Sequence, residues 1–266
     1  RVFCNGLIRD WVNWQLEAKV SSSSPFDALK EVLSKLSPDP SSETIKPSEP
    51  VRVFAGDARK IPTMTLPYGT IPLIYASAGM KRVISLAYVL VWTWHEHVEA
   101  CRILRRNPAE SLILLIDEVE SHLHPKWQRS ILPALMEAAK VLNNEIRTQV
   151  IATTHAPLVL ASIEPLFDAE KDTLSLLEDK EGCVTLRQLD HIRYGDAASW
   201  LVSPVFGLGR ARSKEAERAL DAAYAYMRND DLGRFGDLRT GESINAELAR
   251  VLSESDPFWP GWRFHL

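Results

Sequence analysis

Three features of this chain predict an α/β fold. Residues 111–116 (SLILLI) and 148–153 (TQVIAT) are short, largely apolar runs without apolar–polar alternation, as in parallel strands covered on both faces. A helical stretch opening at Pro125 separates them, giving the order strand, helix, strand of a βαβ unit. A long helical pattern from Gly79 precedes both and is apolar nearly all round in its first half, so that half is expected to be buried.

The remaining elements follow in chain order. Residues 2–19 read as an amphipathic helix with Leu7, Trp11 and Trp14 on one stripe, ended by the serine run 21–24 and Pro25. Residues 26–36 form a second helix through Phe26, Leu29, Leu33 and Leu36. Four prolines and four serines within 37–50 predict a loop. VRVFAG and IPTMTLP then read as paired strands joined by DARK. The long helix is expected to stop at Asn107-Pro108. Beyond His155, DTLSLLED and GCVTLRQL predict a hairpin around 180–182, two amphipathic helices follow, and the tail DPFWPGWRF is aromatic. Three segments are expected: 1–50, helical with a Pro/Ser-rich loop; 51–165, the α/β core; and 166–266, a small α+β extension.

Composition narrows the function classes. The 266 residues are 45% apolar and 25% charged, the mix of a globular protein with a sizeable core. A net charge of -4 supplies no bulk cationic field for nucleic acid, though it leaves room for a local patch. Cys4, Cys101 and Cys183 are scattered and odd in number, signal neither a disulfide framework nor a zinc site, and suit a reducing cytoplasm. The longest apolar run, 83–94, falls short of the ~20 residues that cross a bilayer, so no membrane role is expected. The chain opens on Arg1 rather than methionine, and residues upstream are expected to be missing.

Chemistry concentrates in the stretch 111–125, SLILLIDEVESHLHP. Ligands of open α/β sheets bind beyond the carboxyl ends of the strands, where Asp117 and Glu118 emerge. An aspartate there can hold Mg²⁺, usually through water, and an adjacent glutamate can orient or deprotonate an attacking water. The bland alternative is a strand leaving into a polar capping loop. VIATTHAPL puts His155 just past the second strand, at the same sheet edge as Asp117, where it can bond a γ-phosphate or serve only as a structural loop residue. In YASAGMKR, Ser77 and Gly79 open the long helix, either as an anion site of exposed N–H groups or as an ordinary serine cap with a glycine turn.

Taken in this order, SAGMKR, LLIDEVESHLHP and IATTHAP resemble the signature motif, Walker B with D-loop, and switch histidine of ABC-type ATPases. More narrowly, they are similar to AAA family ATPases of the bacterial anti-phage and overcoming-lysogenization-defect kind, over about residues 70–165. The resemblance implies the parallel-sheet core of a P-loop ATPase lobe, with ATP and Mg²⁺ as cofactors. It implies Mg²⁺ support by Asp117, the catalytic base in Glu118 and a γ-phosphate contact from His155. Ser77 and Gly79 would face the nucleotide of a partner subunit in a head-to-tail dimer or higher oligomer, and the stretch 120–122 would touch that subunit.

One departure from the family pattern qualifies this. No G-x-x-x-x-G-K-[ST] phosphate loop occurs in the 266 residues; GDARK (56–60) has the lysine but not the spacing, and GLGRARSK (207–214) has no glycine directly before its lysine and comes too late in the chain. The chain therefore reads as the C-terminal part of a longer ATPase that depends on a phosphate-loop lobe outside it. The leading expectation is an ATP hydrolase controlling a nuclease or toxin partner in bacterial defence. The alternative is a non-catalytic scaffold or sensor that keeps the fold, and a metal nuclease on Asp117, Glu118 and Glu120 ranks below both.

Other clusters are given ordinary roles. His122 and His124, near Glu118, Glu120 and His155, could be read as a metal cluster, but their i, i+2 spacing and Pro125 favour loop and capping positions. The tryptophans, Trp11, Trp14, Trp92 and Trp94 among them, suit packing better than base stacking, and Arg102, Arg105 and Arg106 suit a helix C-terminus. The tail residues Phe258, Trp259, Trp262 and Phe264 are a candidate docking segment, or fold back onto the core.

Overall fold

The computed structural model describes residues 6–21, 24–39, 44–190 and 192–265. The start of the first predicted helix and Cys4 lie outside the described residues. The chain divides into two compact units, residues 1–175 with 185–193, and 176–184 with 194–266.

The N-terminal unit is α/β, as expected. Helix α1 (Leu7–Glu17) is followed by α2 (Pro25–Lys35), which Ser24 caps by accepting the Phe26 N–H. Strands β1 (Lys46–Val51), β2 (Ile61–Leu66) and β3 (Gly69–Pro72) form an antiparallel sheet in that order. The expected hairpin is therefore shifted: β1 lies inside the stretch predicted as loop, and of VRVFAG only Val51 belongs to a strand. Pro47 and Pro50 concealed this strand. They are tolerated because β1 pairs on one side only, with a register irregularity between Ser48 and Val51.

Helix α3 (Ala78–Leu104) is 27 residues long, about 40 Å at 1.5 Å per residue. It buries Met80, Val83, Ile84, Ala87 and Val91 in its first half, as predicted. It ends on Arg105 in the left-handed region, with Arg106 N–H returning to the Cys101 carbonyl, just before Asn107-Pro108. Strand β4 (Ser111–Ile116), helices α4 (Pro125–Gln128) and α5 (Ile131–Leu142), and strand β5 (Arg147–Ala152) complete the crossover. One helix was expected from Pro125; two are present, because Ser130 leaves helical geometry at φ -123°. Helix α6 (Pro157–Ile163) follows.

A single core joins these parts. Trp11, Leu29, Val32 and Leu33 pack with Met64, Val83, Ile84, Ile131, Ala138 and Val159. Helices α1 and α2, expected as a separate segment, thus share the core of the crossover. Buried polar groups pair across it: the Tyr88 hydroxyl donates to Asp10 at 2.7 Å, and Trp127 donates to the Leu36 carbonyl at 2.9 Å.

The parallel pairing of β4 with β5 runs without slip from Ser111↔Arg147 to Ile116↔Ala152. Its inward face, Leu112, Leu114, Ile116 and Ala152, packs on the core. The expectation of cover on both faces is corrected: Ile113, Leu115 and Ile151 on the other face are 64, 78 and 47% exposed. Two-sided apolar strands are present, but among the described residues only one face is packed.

Strands β6 (Leu174–Lys180) and β7 (Cys183–Leu189) form the predicted hairpin. Its turn residues Glu181 and Gly182 both have positive φ, the geometry of a tight two-residue loop.

In the C-terminal unit, α7 (Ala197–Leu201) is capped by Asp196 and carries buried Trp200 against Tyr194. Helices α8 (Lys214–Met227) and α9 (Gly241–Val251) and the short α10 (Trp259–Trp262) surround a second core. Ala219, Ala222 and Ala223 are fully buried and let α8 approach its neighbours closely, while Trp262 fills the centre. The aromatic tail is thus folded inward rather than free for docking, apart from Phe264 at 90% exposure. Arg212 pairs with Asp256 and holds that carboxyl below the ordinary aspartate value. No helix among the described residues is long and apolar enough to cross a membrane.

Candidate functional site

Both parallel strands end at one edge. Because Ile116 sits opposite Ala152, the next residues, Asp117 and Thr153, leave the sheet side by side. The chain then turns sharply at Glu118, whose φ of 44° puts a non-glycine residue in the left-handed region, a conformation that costs about 1–3 kcal/mol. Val119, fully buried, and Leu123 anchor the turn from below, while Asp117 and Glu118 face solvent. Ser121 N–H returns to the Glu118 carbonyl and Leu123 N–H to that of Glu120, so 118–123 is a compact, internally bonded loop.

Four hydrogen bonds from one residue clamp this turn. Thr153 N–H donates to the Ile116 carbonyl at 3.0 Å, and its own carbonyl accepts from Val119 N–H at 3.1 Å. Its hydroxyl donates to Asp117 Oδ1 at 2.5 Å and accepts from Glu118 N–H at 2.8 Å. A fifth bond ties the histidine loop to the same structure: Glu120 Oε1 accepts the backbone N–H of His155 at 2.6 Å. The other Glu120 oxygen is buried without a hydrogen-bond partner among the described residues.

Asp117, Glu118 and His155 are therefore gathered at one sheet edge, as the sequence implied. The side chains of Glu118 and His155 make no hydrogen bond or ion pair among the described residues, so both are unengaged. Beside them, Arg82 of α3 donates to the Asp117 carbonyl at 3.2 Å, and its buried Nε has no partner there. Arg82, Leu86, Leu115, Ile116, Asp117, Glu118 and Ser121 line a cavity of about 450 Å³.

Ser77 and Gly79 have distinct positions. Ser77 is exposed and caps α3, its hydroxyl accepting the Met80 N–H at 3.2 Å. Gly79 is buried against the loop after Glu118: a Cβ there would lie 2.6 Å from the His122 carbonyl oxygen. His122 itself has a φ of 64°, and His124 caps α4 through Lys126 N–H. Gly79→Ala must move backbone on one side or the other. Its expected cost is about 1–3 kcal/mol of stability, as for other overpacked sites. Urea unfolding checks this, and an unchanged midpoint would show that the helix start and the loop shift freely.

Among the described residues, no three His, Cys, Asp or Glu side chains cluster closely enough to hold a metal on their own. The Asp117 carboxylate has one oxygen engaged by Thr153 and makes no other hydrogen bond or ion pair among the described residues. That donor set fits Mg²⁺ bound through water better than a protein-caged ion. Sequence reasoning had not singled out Thr153, Glu120 as a bond to the histidine loop, or Arg82. The paired threonines before His155 were the available signal for the first.

The aspartate–glutamate pair leaving one parallel strand and the histidine leaving the next thus stand at the carboxyl ends of the strands, where α/β domains bind their ligands. Residues 68–161 match the family described as "AAA domain, putative AbiEii toxin, Type IV TA system". The resemblance read from its motifs is borne out over this segment. The chain is 29% identical over 164 residues to the "Septu protein PtuA" of Bacillus thuringiensis, a match covering 58% of this chain and 38% of that one. It is 36% identical over 103 residues to the "Septu protein PtuA" of Bacillus mycoides (strain KBAB4), covering 39% of this chain and 13% of the relative. It is 42% identical over 59 residues to the "Retron Ec83 probable ATPase" of Escherichia coli, covering 22% and 10%. The chain thus spans well under half the length of these relatives.

Proposed function

We propose that residues 51–165 are the C-terminal catalytic portion of an ABC-type ATPase that hydrolyses ATP as a head-to-tail dimer and controls a nuclease or toxin partner in anti-phage defence. Glu118 positions and deprotonates the attacking water, and His155 contacts the γ-phosphate. Ser77 and the first-turn N–H groups of α3, that of Gly79 included, face the nucleotide held by the partner subunit. Asp117 holds Mg²⁺ through water, and that ion neutralises charge on the phosphate oxygens when bound. A phosphate loop, lacking in these 266 residues, comes from a lobe outside them.

The observation that supports this reading is the unengaged Glu118 side chain next to a braced Asp117 at the end of a parallel strand. A residual structural turn has no need of two adjacent outward carboxylates, which repel one another. The similarity to the "Retron Ec83 probable ATPase" supports the ATPase part of this reading.

Mg²⁺-dependent ATP hydrolysis by the full-length protein tests it. Glu118→Gln is expected to bind ATP and to lose about 10²–10⁴-fold in kcat, the usual worth of a general base. A wild-type protein that neither binds nor hydrolyses ATP would leave the scaffold reading in its place.

A further inference from the structure

We propose that Thr153 is a positioning residue for ATP hydrolysis: its hydroxyl fixes both the Asp117 carboxylate and the backbone from which Glu118 projects. The inference deepens the ATPase reading above and rests on it. Neither the motif pattern nor the relatives' names assign this residue a role.

The geometry carries it. A hydroxyl has one proton, and an ionised carboxylate can only accept, so the 2.5 Å bond to Asp117 Oδ1 commits the Thr153 proton to that oxygen. The Thr153 lone pairs then remain for the Glu118 N–H at 2.8 Å. One side chain thus determines which Asp117 oxygen faces outward and holds Glu118 in its left-handed conformation. Threonine suits the task because its β-branch stiffens χ1, so the hydroxyl direction follows from the backbone. That backbone is itself fixed by the bonds from Thr153 N–H to Ile116 and from Val119 N–H to Thr153.

A mere brace for the turn would not need the proton to be aimed at Asp117, and the two roles separate experimentally. In Thr153→Val the shape and the main-chain bonds persist while the hydroxyl is lost; in Thr153→Ser the hydroxyl stays. With the full-length protein, Thr153→Val is expected to lower kcat for ATP about 10–100-fold, as for other misplaced catalytic groups. At saturating Mg²⁺, KM for ATP should stay within about threefold of wild type, since no residue placed against the nucleotide itself is changed. The Mg²⁺ concentration for half-maximal rate should rise. Thr153→Ser should stay within about threefold of wild type in all three quantities. Amide exchange at Glu118, measured without nucleotide, should quicken in the valine variant and not in the serine one.

If Thr153→Val keeps wild-type kcat and Mg²⁺ dependence while Glu118→Gln is inactive, the assignment to Thr153 is overturned and the ATPase reading stands. A loss in the serine variant as large as that in the valine variant overturns it as well, since the hydroxyl that serine keeps would then not position the site. Wild-type protein without Glu118-dependent hydrolysis overturns both.

Discussion

Trp262→Ala should remove about 3–5 kcal/mol from the stability of the C-terminal unit, the usual cost of emptying a large aromatic site. Trp262 is wholly buried, stacks on Phe258 with ring centroids 6.2 Å apart, and meets Tyr226 edge-on at 5.7 Å. Its indole N–H donates to Asn245 Oδ1 at 3.0 Å, so truncation also strips a partner from α9. The neighbours cannot easily collapse into the gap, because α8 presents alanines there and they have nothing to extend. Hydrogen exchange at the amides of α8 and α9 reads the loss, and Trp262→Phe should recover part of it. Protection unchanged in the alanine variant would show that the tail packs on this unit without holding it.

Trp11→Ala should cost a similar ~3–5 kcal/mol in the N-terminal unit. The indole is fully buried beside Phe26, at 6.5 Å between ring centroids, and donates to Gln15 Oε1 at 3.2 Å. Gln15 in turn donates to the Ser48 carbonyl at 3.0 Å, which ties α1 to the edge strand β1. Removing Trp11 opens a cavity and orphans a buried amide oxygen at once. Urea unfolding followed by far-UV circular dichroism would register the change. Gln15→Met on the alanine background should return some of the stability, because the stranded oxygen is then gone; an additive or larger loss would count against the coupling.

Much of the α/β core was legible from local pattern. The length and apolar breadth of α3, the run at β4 and the positions of Asp117, Glu118 and His155 all follow from residues close together in the chain. Other features depend on partners that local sequence does not contain. KPSEPV carries two prolines and reads as loop, yet pairing with Thr63, Met64 and Thr65 makes it a strand. Ile113, Leu115 and Ile151 have the composition of a covered face, and composition does not say which face the same chain covers. Gly79 is legible as a helix-start residue, but its need for close approach comes from His122, far along the chain. Thr153 looks like any polar residue at a strand end until the register of β4 with β5 sets it beside Asp117.

The bond between Thr153 and Asp117 spans 36 positions of chain, across a parallel pairing that requires the whole crossover of α4 and α5. Helices form from neighbours within microseconds, whereas such distant pairings wait on loop closure. The carboxylates of this site therefore acquire their orientation only when that crossover closes, not from their own neighbours. A nascent chain that has emerged only as far as Glu118 holds the acidic pair but not the strand that aims it. The orientation of the pair is complete only once β5 has been made and has paired with β4.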